Sequence, residues 1–97
     1  MPRGMADPAL DAATEHKTQQ LPPYRVILHN DDVNTFDHVI ASILRFTPLT
    51  RAEAIQRTLE AHETGASLLL VTHRERAELY VEQFASVGLT VTAEPET

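Results

Sequence analysis

The fold is decided by the stretch Leu28-His29-Asn30-Asp31-Asp32-Val33-Asn34-Thr35-Phe36, where an apolar strand pattern stops and a helical pattern begins. Asn and Asp form turns readily, because their side chains bond to the local backbone and tolerate left-handed conformations. The simplest interpretation is therefore a capped loop between a strand and a helix. A functional interpretation is also open, since Asn30 and Asp31 present acceptor oxygens to a positively charged ligand held beyond the end of the sheet.

Regular elements are predicted on both sides of this loop. Before it, the run from Tyr24 to His29 is rich in β-formers and predicts a strand. After it, apolar residues recur at helical spacing from Phe36 to Leu44, and Thr35 or Asn34 is positioned to cap that helix. The helix should end before Pro48, because the residue preceding a proline is pushed out of the helical region.

A second helix is predicted from the run Thr50-Arg51-Ala52-Glu53, which has the spacing of a capping box. Gly65 should end this helix in a left-handed conformation. The spacing predicts an inward-facing stripe made of Ala54, Ile55, Thr58, Leu59, Ala61 and His62. We therefore expect the C-terminal turn that carries His62 to lie beside the loop at Asn30.

The remaining elements complete a small sheet. Leu68-Leu69-Leu70-Val71 predicts a central strand that is buried on both faces. Thr72-His73-Arg74-Glu75 repeats the capping-box spacing and begins a third helix that stops at Gly88, and the alternating run from Leu89 to Ala93 predicts a final strand. The predicted class is α+β, a single domain of order β-α-α-β-α-β with a three-stranded sheet packed on helices. This domain spans residues 24–97, and residues 1–23 are expected to form a disordered N-terminal arm.

Size and composition exclude several classes of function. The 97 residues suffice for one domain, and 14 acidic against 8 basic residues give a net charge of -6. Nucleic-acid binding is disfavoured because phosphate contacts require Lys and Arg, and the absence of cysteine excludes disulfides and thiolate metal sites. No run is apolar enough to cross a bilayer, and residues 1–23 lack a signal-peptide core, so we expect a cytoplasmic protein without membrane association.

Asn30, Asp31 and His62 are the candidate binding residues, since together they would present acceptor atoms to an ammonium group attached to a hydrophobic side chain. His62 alone is equally compatible with a surface imidazole that stabilises the end of its helix. A metal site is disfavoured, because His29, His38 and His62 lack ligand spacing. Catalysis by His62 with Asp31 is also disfavoured, because no serine stands in a nucleophile motif. We expect no metal, no cofactor and no enzymatic activity.

A family resemblance is carried by Pro23-Tyr24-Arg25-Val26-Ile27-Leu28-His29-Asn30-Asp31-Asp32, followed by Thr35-Phe36, Val39, Ala61-His62-x-x-Gly65 and Ala77-Glu78. From about Pro23 to Glu94 the chain resembles ClpS, the adaptor of bacterial Clp proteases. The resemblance implies a monomeric, non-enzymatic adaptor that recognises N-degrons, which are substrates with a free α-amino group and Leu, Phe, Tyr or Trp as first residue. It also implies delivery to the N-terminal domain of a ClpA- or ClpC-type AAA+ unfoldase, which the N-terminal arm would engage.

The resemblance assigns roles to individual residues. Asn30, Asp31 and His62 match the residues that hold the substrate's α-amino group. The hydrophobic pocket and its rim would be formed by Leu28, Asp32, Thr35, Phe36, Val39, Thr58, Leu59 and Ala61. Glu75 matches a position that contacts the unfoldase, and Tyr80 stands at the same surface where some members have Lys.

Two departures from the family pattern affect the pocket. Members commonly have Met where Thr58 stands and often Val where Ala61 stands, so the smaller residues here predict a wider pocket and weaker selectivity against β-branched first residues. An alternative function remains open. In it, a domain of the same fold uses its acidic loop to bind a basic surface of a partner protein.

Overall fold

The structure, a computed structural model, describes residues 21–96. Its strands are β1 (Tyr24–His29), β2 (Ala66–Thr72) and β3 (Val91–Pro95), and its helices are α1 (Phe36–Phe46), α2 (Arg51–Thr64) and α3 (Arg74–Ala85). The predicted order of elements and the α+β class are therefore confirmed. The predicted arm falls outside the described residues except for residues 21–23, where the Pro23 carbonyl accepts a hydrogen bond from the Glu96 amide at 2.8 Å.

The sheet has the strand order β2-β1-β3, and β1 pairs antiparallel with both neighbours. The prediction that β2 is central and buried on both faces is therefore wrong. Its burial alternates instead: Ser67 and Leu69 are buried, Leu68 is half-buried and Val71 is exposed. This alternation is what an edge strand shows when helices cover only one face of the sheet.

The core lies between the covered face of the sheet and the three helices. Its largest fully buried side chains are Val26, Leu28, Ile43, Leu69 and Phe84. The Phe84 ring of α3 meets the Phe46 ring at the end of α1 edge-on, with centroids 5.3 Å apart. Val26 and Leu28 of β1 thus belong to one core with Ile43 of α1 and Phe84 of α3.

Local signals placed most helix ends correctly. Thr35 caps α1, because its hydroxyl accepts from the His38 amide at 3.1 Å. Thr50 and Glu53 form the predicted capping box at the start of α2, and Gly65 ends that helix with φ of 97°. Both observations confirm the sequence prediction.

The third helix and the last strand begin later than predicted. Thr72 belongs to β2, so the capping box expected from Thr72 to Glu75 does not form, and His73 is an N-cap without a side-chain hydrogen bond. Leu89 precedes β3 and is buried, with its amide bonded to the Phe84 carbonyl at 3.0 Å. The chain turns at residues 86–88, and Leu89 follows that turn before the chain enters the sheet.

The inward-facing stripe predicted along α2 is half correct. Its buried members are Ala54, Thr58 and Ala61, whereas the neighbouring stripe formed by Ile55, Leu59 and His62 is exposed. The small buried residues let the helix lie close to the sheet. Spacing alone could not choose between two adjacent stripes, because the choice depends on how the helix is rotated against its neighbours.

Candidate functional site

The loop between β1 and α1 is organised by the Asp31 carboxylate. One of its oxygens accepts from the amides of Val33 at 2.9 Å and Asn34 at 2.7 Å, and the other accepts from the Asn34 side-chain amide at 3.1 Å. The pKa of Asp31 is lowered from its ordinary 3.8, mainly by the Asn34 backbone hydrogen bond and then by the Asn34 side chain, with burial opposing. Asp31 therefore stays negatively charged at neutral pH and retains a free acceptor position.

Two glycine carbonyls hold this loop from outside. The Asn30 amide donates to the Gly65 carbonyl at 3.0 Å, and the Asn34 side-chain amide donates to the Gly88 carbonyl at 2.9 Å. The first bond joins the loop to the end of α2, which confirms the predicted proximity of these two segments. The Asn30 side chain is exposed, so its carbonyl oxygen is available to a ligand.

A small cavity opens beside the loop, between β1, α1 and α2. Its lining combines an apolar floor with polar atoms of the loop and consists of Leu28, His29, Asn30, Asp31, Asn34, Phe36, Val39, Thr58 and Ala61. Its volume is about 20 Å³, which accommodates roughly one water molecule. The smaller Thr58 and Ala61 therefore do not leave an open pocket in this conformation.

The lining differs in part from the set predicted from sequence. Asp32, Thr35 and Leu59 are exposed and do not line the cavity. His29 and Asn34 line it and were not predicted. The spacing of Asp31 and Asn34 is a signal that could have indicated Asn34, since Asp side chains commonly bond to amides two and three residues on.

His62 lies at the rim of the cavity and does not line it. Its ring is exposed and meets the Phe36 ring edge-on, with centroids 5.0 Å apart and an interplanar angle of 73°. Because Phe36 lines the cavity, this contact brings His62 to the same side of the molecule as Asn30 and Asp31. Asn30 and Asp31 thus line the cavity, and His62 is connected to it through the Phe36 ring.

The site has features of a binding site for an organic cation with an apolar side chain. Acceptor oxygens and a carboxylate lie above apolar walls, an arrangement suited to a group that is charged at one end and hydrophobic at the other. Within residues 21–96 no group of three metal-binding side chains occurs. No helix in this range is long and apolar enough to cross a membrane.

The two residues assigned to a partner surface differ in exposure. Glu75 is exposed in the first turn of α3. Tyr80 is only 4% exposed, and the Arg76 guanidinium stands 5.6 Å from its ring centroid. Tyr80 is therefore a core residue, and the expectation that its side chain contacts a partner does not fit this burial.

Comparison with known proteins decides the family. Residues 19–92 match the family model for "ATP-dependent Clp protease adaptor protein ClpS". The chain belongs to the ClpS family. It is 42% identical to the ClpS adapter protein of Synechococcus sp. strain CC9902, over 90% of this chain and 85% of that one. It is also 43% identical to the ClpS of Thermosynechococcus vestitus, over 77% of this chain and 82% of that one.

A solved ClpS structure has the same fold. Agrobacterium tumefaciens ClpS2, determined bound to L-phenylalaninamide, superposes with a TM-score of 0.72 at 25% identity, over 77% of this chain and 98% of that one. The ligand of that protein has a free α-amino group beside an aromatic side chain. ClpS proteins are adaptors of the ATP-dependent Clp protease, so this chain belongs to a family of protease adaptors.

Proposed function

We propose that this chain is a non-enzymatic adaptor that binds N-degrons and delivers them to a Clp AAA+ unfoldase of the ClpA or ClpC type. In this proposal the ligand is a free α-amino group together with a bulky first side chain, Leu, Phe, Tyr or Trp. The single observation that carries it is the meeting of the Asn30 and Asp31 oxygens with an apolar floor in one cavity. The L-phenylalaninamide bound to the ClpS2 relative has the same two chemical features.

The α-ammonium group would be held by the Asp31 carboxylate, the Asn30 carbonyl oxygen and a ring nitrogen of His62. Three donors on the ammonium match three acceptors, and each charge-assisted hydrogen bond contributes about 1.5 to 3 kcal/mol. The first side chain would occupy the cavity over Leu28 and Val39, which adds roughly 1.5 to 3 kcal/mol. After the cost of association, affinities near the micromolar range follow, as suits a transient carrier.

Entry of that side chain requires a local rearrangement. The cavity volume of about 20 Å³ is far below the roughly 150 Å³ of a cavity that admits benzene. Phe36 is the residue best able to move, because its ring lies at the rim and is 40% exposed. A structure with a bound peptide should therefore show the Phe36 ring displaced, and an unmoved ring over a filled cavity would contradict this step.

The test compares three peptides of one sequence that starts with Phe: the free peptide, its N-acetylated form and a form extended by one Gly at the N-terminus. Acetylation removes the charge and two donors, so we expect titration to show an affinity loss of at least about 100-fold. The Gly extension should have a similar effect, because the bulky side chain then no longer adjoins the amine. Equal binding of all three would favour the alternative, an acidic loop that binds basic surfaces.

A matched pair of variants locates the interaction. Asp31→Asn keeps an oxygen acceptor for the Val33 and Asn34 amides but removes the charge, so it should weaken peptide binding while the fold persists. Asp37→Asn removes a carboxylate from the first turn of α1, and its residue does not line the cavity. If both substitutions weaken peptide binding equally, the overall negative charge of the protein, and not Asp31 in particular, would be responsible.

A further inference from the structure

An exposed apolar strip begins at the rim of the cavity and continues along α2. Phe36 is 40% exposed, Ile55 is 37% exposed and Leu59 is 43% exposed. Ile55, Leu59 and His62 recur at the spacing of one helical stripe, and the His62 ring contacts Phe36 with a centroid distance of 5.0 Å. The strip formed by Phe36, His62, Leu59 and Ile55 is therefore continuous with the mouth of the cavity through the contact between Phe36 and His62.

The strip is distinct from the wall of the cavity. Thr58 and Ala61 face inward and line the cavity, whereas Leu59 and His62 stand one position further round the same helix and face outward. A single exposed aliphatic side chain is ordinary on a protein surface, but a connected apolar set beside a binding cavity is typical of an interaction site. A ligand that fills the cavity would extend over this strip if its chain left on the α2 side.

We propose that the strip binds the side chain of the second residue of the substrate and that it prefers an apolar residue there. This inference rests on the proposed function, because it needs the first residue to be held in the cavity. Leu59 lies three residues before His62 on the helix, a rise of about 4.5 Å, and an extended chain advances about 3.3 Å per residue. A second side chain that leaves the mouth beside His62 therefore reaches Leu59.

The charge around the opening disfavours an acidic occupant. Asp31 at the mouth is ionised, and Glu60 and Glu63 flank the strip on α2 as exposed acidic residues. An acidic second residue would be repelled, whereas the exposed side chains of Ile55 and Leu59 offer apolar surface to an apolar one. Partial covering of Leu59 and Ile55 should favour Leu over Ser at the second position by roughly fivefold in affinity.

The experiment measures the affinity of two peptides, one beginning Phe-Leu and one beginning Phe-Ser, for three proteins. These are the unsubstituted chain, Leu59→Ser and the matched control Leu79→Ser, whose leucine is 42% exposed on α3. We expect the preference for Phe-Leu in the unsubstituted chain and in Leu79→Ser, and its loss in Leu59→Ser. The inference is overturned if the unsubstituted chain binds both peptides equally or if both variants lose the preference alike.

L-phenylalaninamide separates this inference from the proposed function, since it has a first residue and no second. If it binds the unsubstituted chain and Leu59→Ser equally while the preference follows Leu59, both proposals stand. If L-phenylalaninamide binds but the preference for Phe-Leu over Phe-Ser does not depend on Leu59, only the inference about the second residue fails. If L-phenylalaninamide does not bind at all, the proposed function fails and the inference fails with it. Loss of unfoldase binding or of self-association in Leu59→Ser, with peptide preference unchanged, would assign the strip to another partner and overturn the inference.

Discussion

At the scale of single residues, Asp31 has two tasks. Its carboxylate accepts three hydrogen bonds from Val33 and Asn34, which organise the loop, and the residue also lines the cavity of the proposed site. These bonds lower its pKa, so its contribution to folding is present above the ordinary 3.8 and is lost only as pH falls through the lower folded value. In mildly acidic buffer Asp31 therefore remains charged.

This assignment makes the pH dependence of binding informative. Asp31 stays ionised in mildly acidic buffer, so its attraction for the peptide ammonium should persist there and be lost only below the ordinary value of 3.8. The role of His62 as an acceptor is tested by substitution at neutral pH. We expect His62→Ala to weaken binding of a Phe-starting peptide several-fold in titrations, because it removes one of three proposed acceptors.

The control for this prediction is His73→Ala, which removes an exposed imidazole at the start of α3 and should leave peptide affinity unchanged. His29 also lines the cavity, and its Nε2 lies 2.7 Å from the Thr92 hydroxyl. Unchanged affinity in His62→Ala would remove His62 from the set of direct ligands and leave His29 as the imidazole of the site.

At the scale of elements, the end of α2 and the loop after β1 form one unit. Gly65 ends the helix with φ of 97°, and its carbonyl holds the Asn30 amide. Gly88, with φ of 83°, ends the turn after α3, and its carbonyl holds the Asn34 side chain. The loop that carries the acceptors is therefore positioned by the backbone at the ends of two helices.

Gly65→Ala tests this coupling. A Cβ at Gly65 would meet no atom within 4 Å, so the expected penalty is conformational, about 1 kcal/mol of unfolding free energy. Relief of that strain should shift the Gly65 carbonyl and with it Asn30. We expect urea denaturation to show the loss of stability and titration to show several-fold weaker binding of a Phe-starting peptide.

Thr50→Ala is the matched control, because it removes the capping box at the opposite end of the same helix and costs about 1 kcal/mol as well. It should lower stability without affecting peptide affinity. Weaker binding in both variants would mean that α2 stability as a whole, and not the position of its last residue, controls the site.

At the scale of the whole molecule, the proposed peptide site and the proposed partner surface lie on different elements. The site is built by β1, α1 and α2, whereas Glu75 lies on α3. An adaptor needs this separation, because it must hold its cargo and its unfoldase at the same time. Tyr80 is buried in the core under the Arg76 guanidinium. Of the two residues predicted to contact the unfoldase, only Glu75 is exposed.

If the proposed partner surface is correct, Glu75→Arg should weaken binding to the isolated N-terminal domain of a ClpA- or ClpC-type unfoldase by roughly tenfold, because it reverses a charge on that surface. Surface plasmon resonance measures this change, and binding of a Phe-starting peptide should be unaltered. Glu60→Arg makes the same charge change at an exposed position on α2 and should have little effect. Equal losses in both variants would show that only net charge matters.

The sequence predicts local features of the structure better than long-range ones. Thr35, the Thr50–Glu53 box and Gly65 were placed correctly, since each signal acts on the backbone within four residues. The box expected at Thr72 failed because pairing with β1 keeps Thr72 in a strand. Strand pairing thus overrode the capping-box signal at Thr72, although that signal has the same spacing as the box that forms at Thr50.

The sequence by itself determined the order of elements, the acidic character and the polar loop at Asn30 and Asp31, because periodicity and turn chemistry are properties of neighbouring residues. Only the tertiary structure decided that β1 is central, that Leu59 and His62 face outward and that Phe36 lines a small cavity beside the loop. Strand order and helix rotation are set by packing between distant segments. The small residues of α2 fit against the sheet, and this fit turns the larger ones toward solvent.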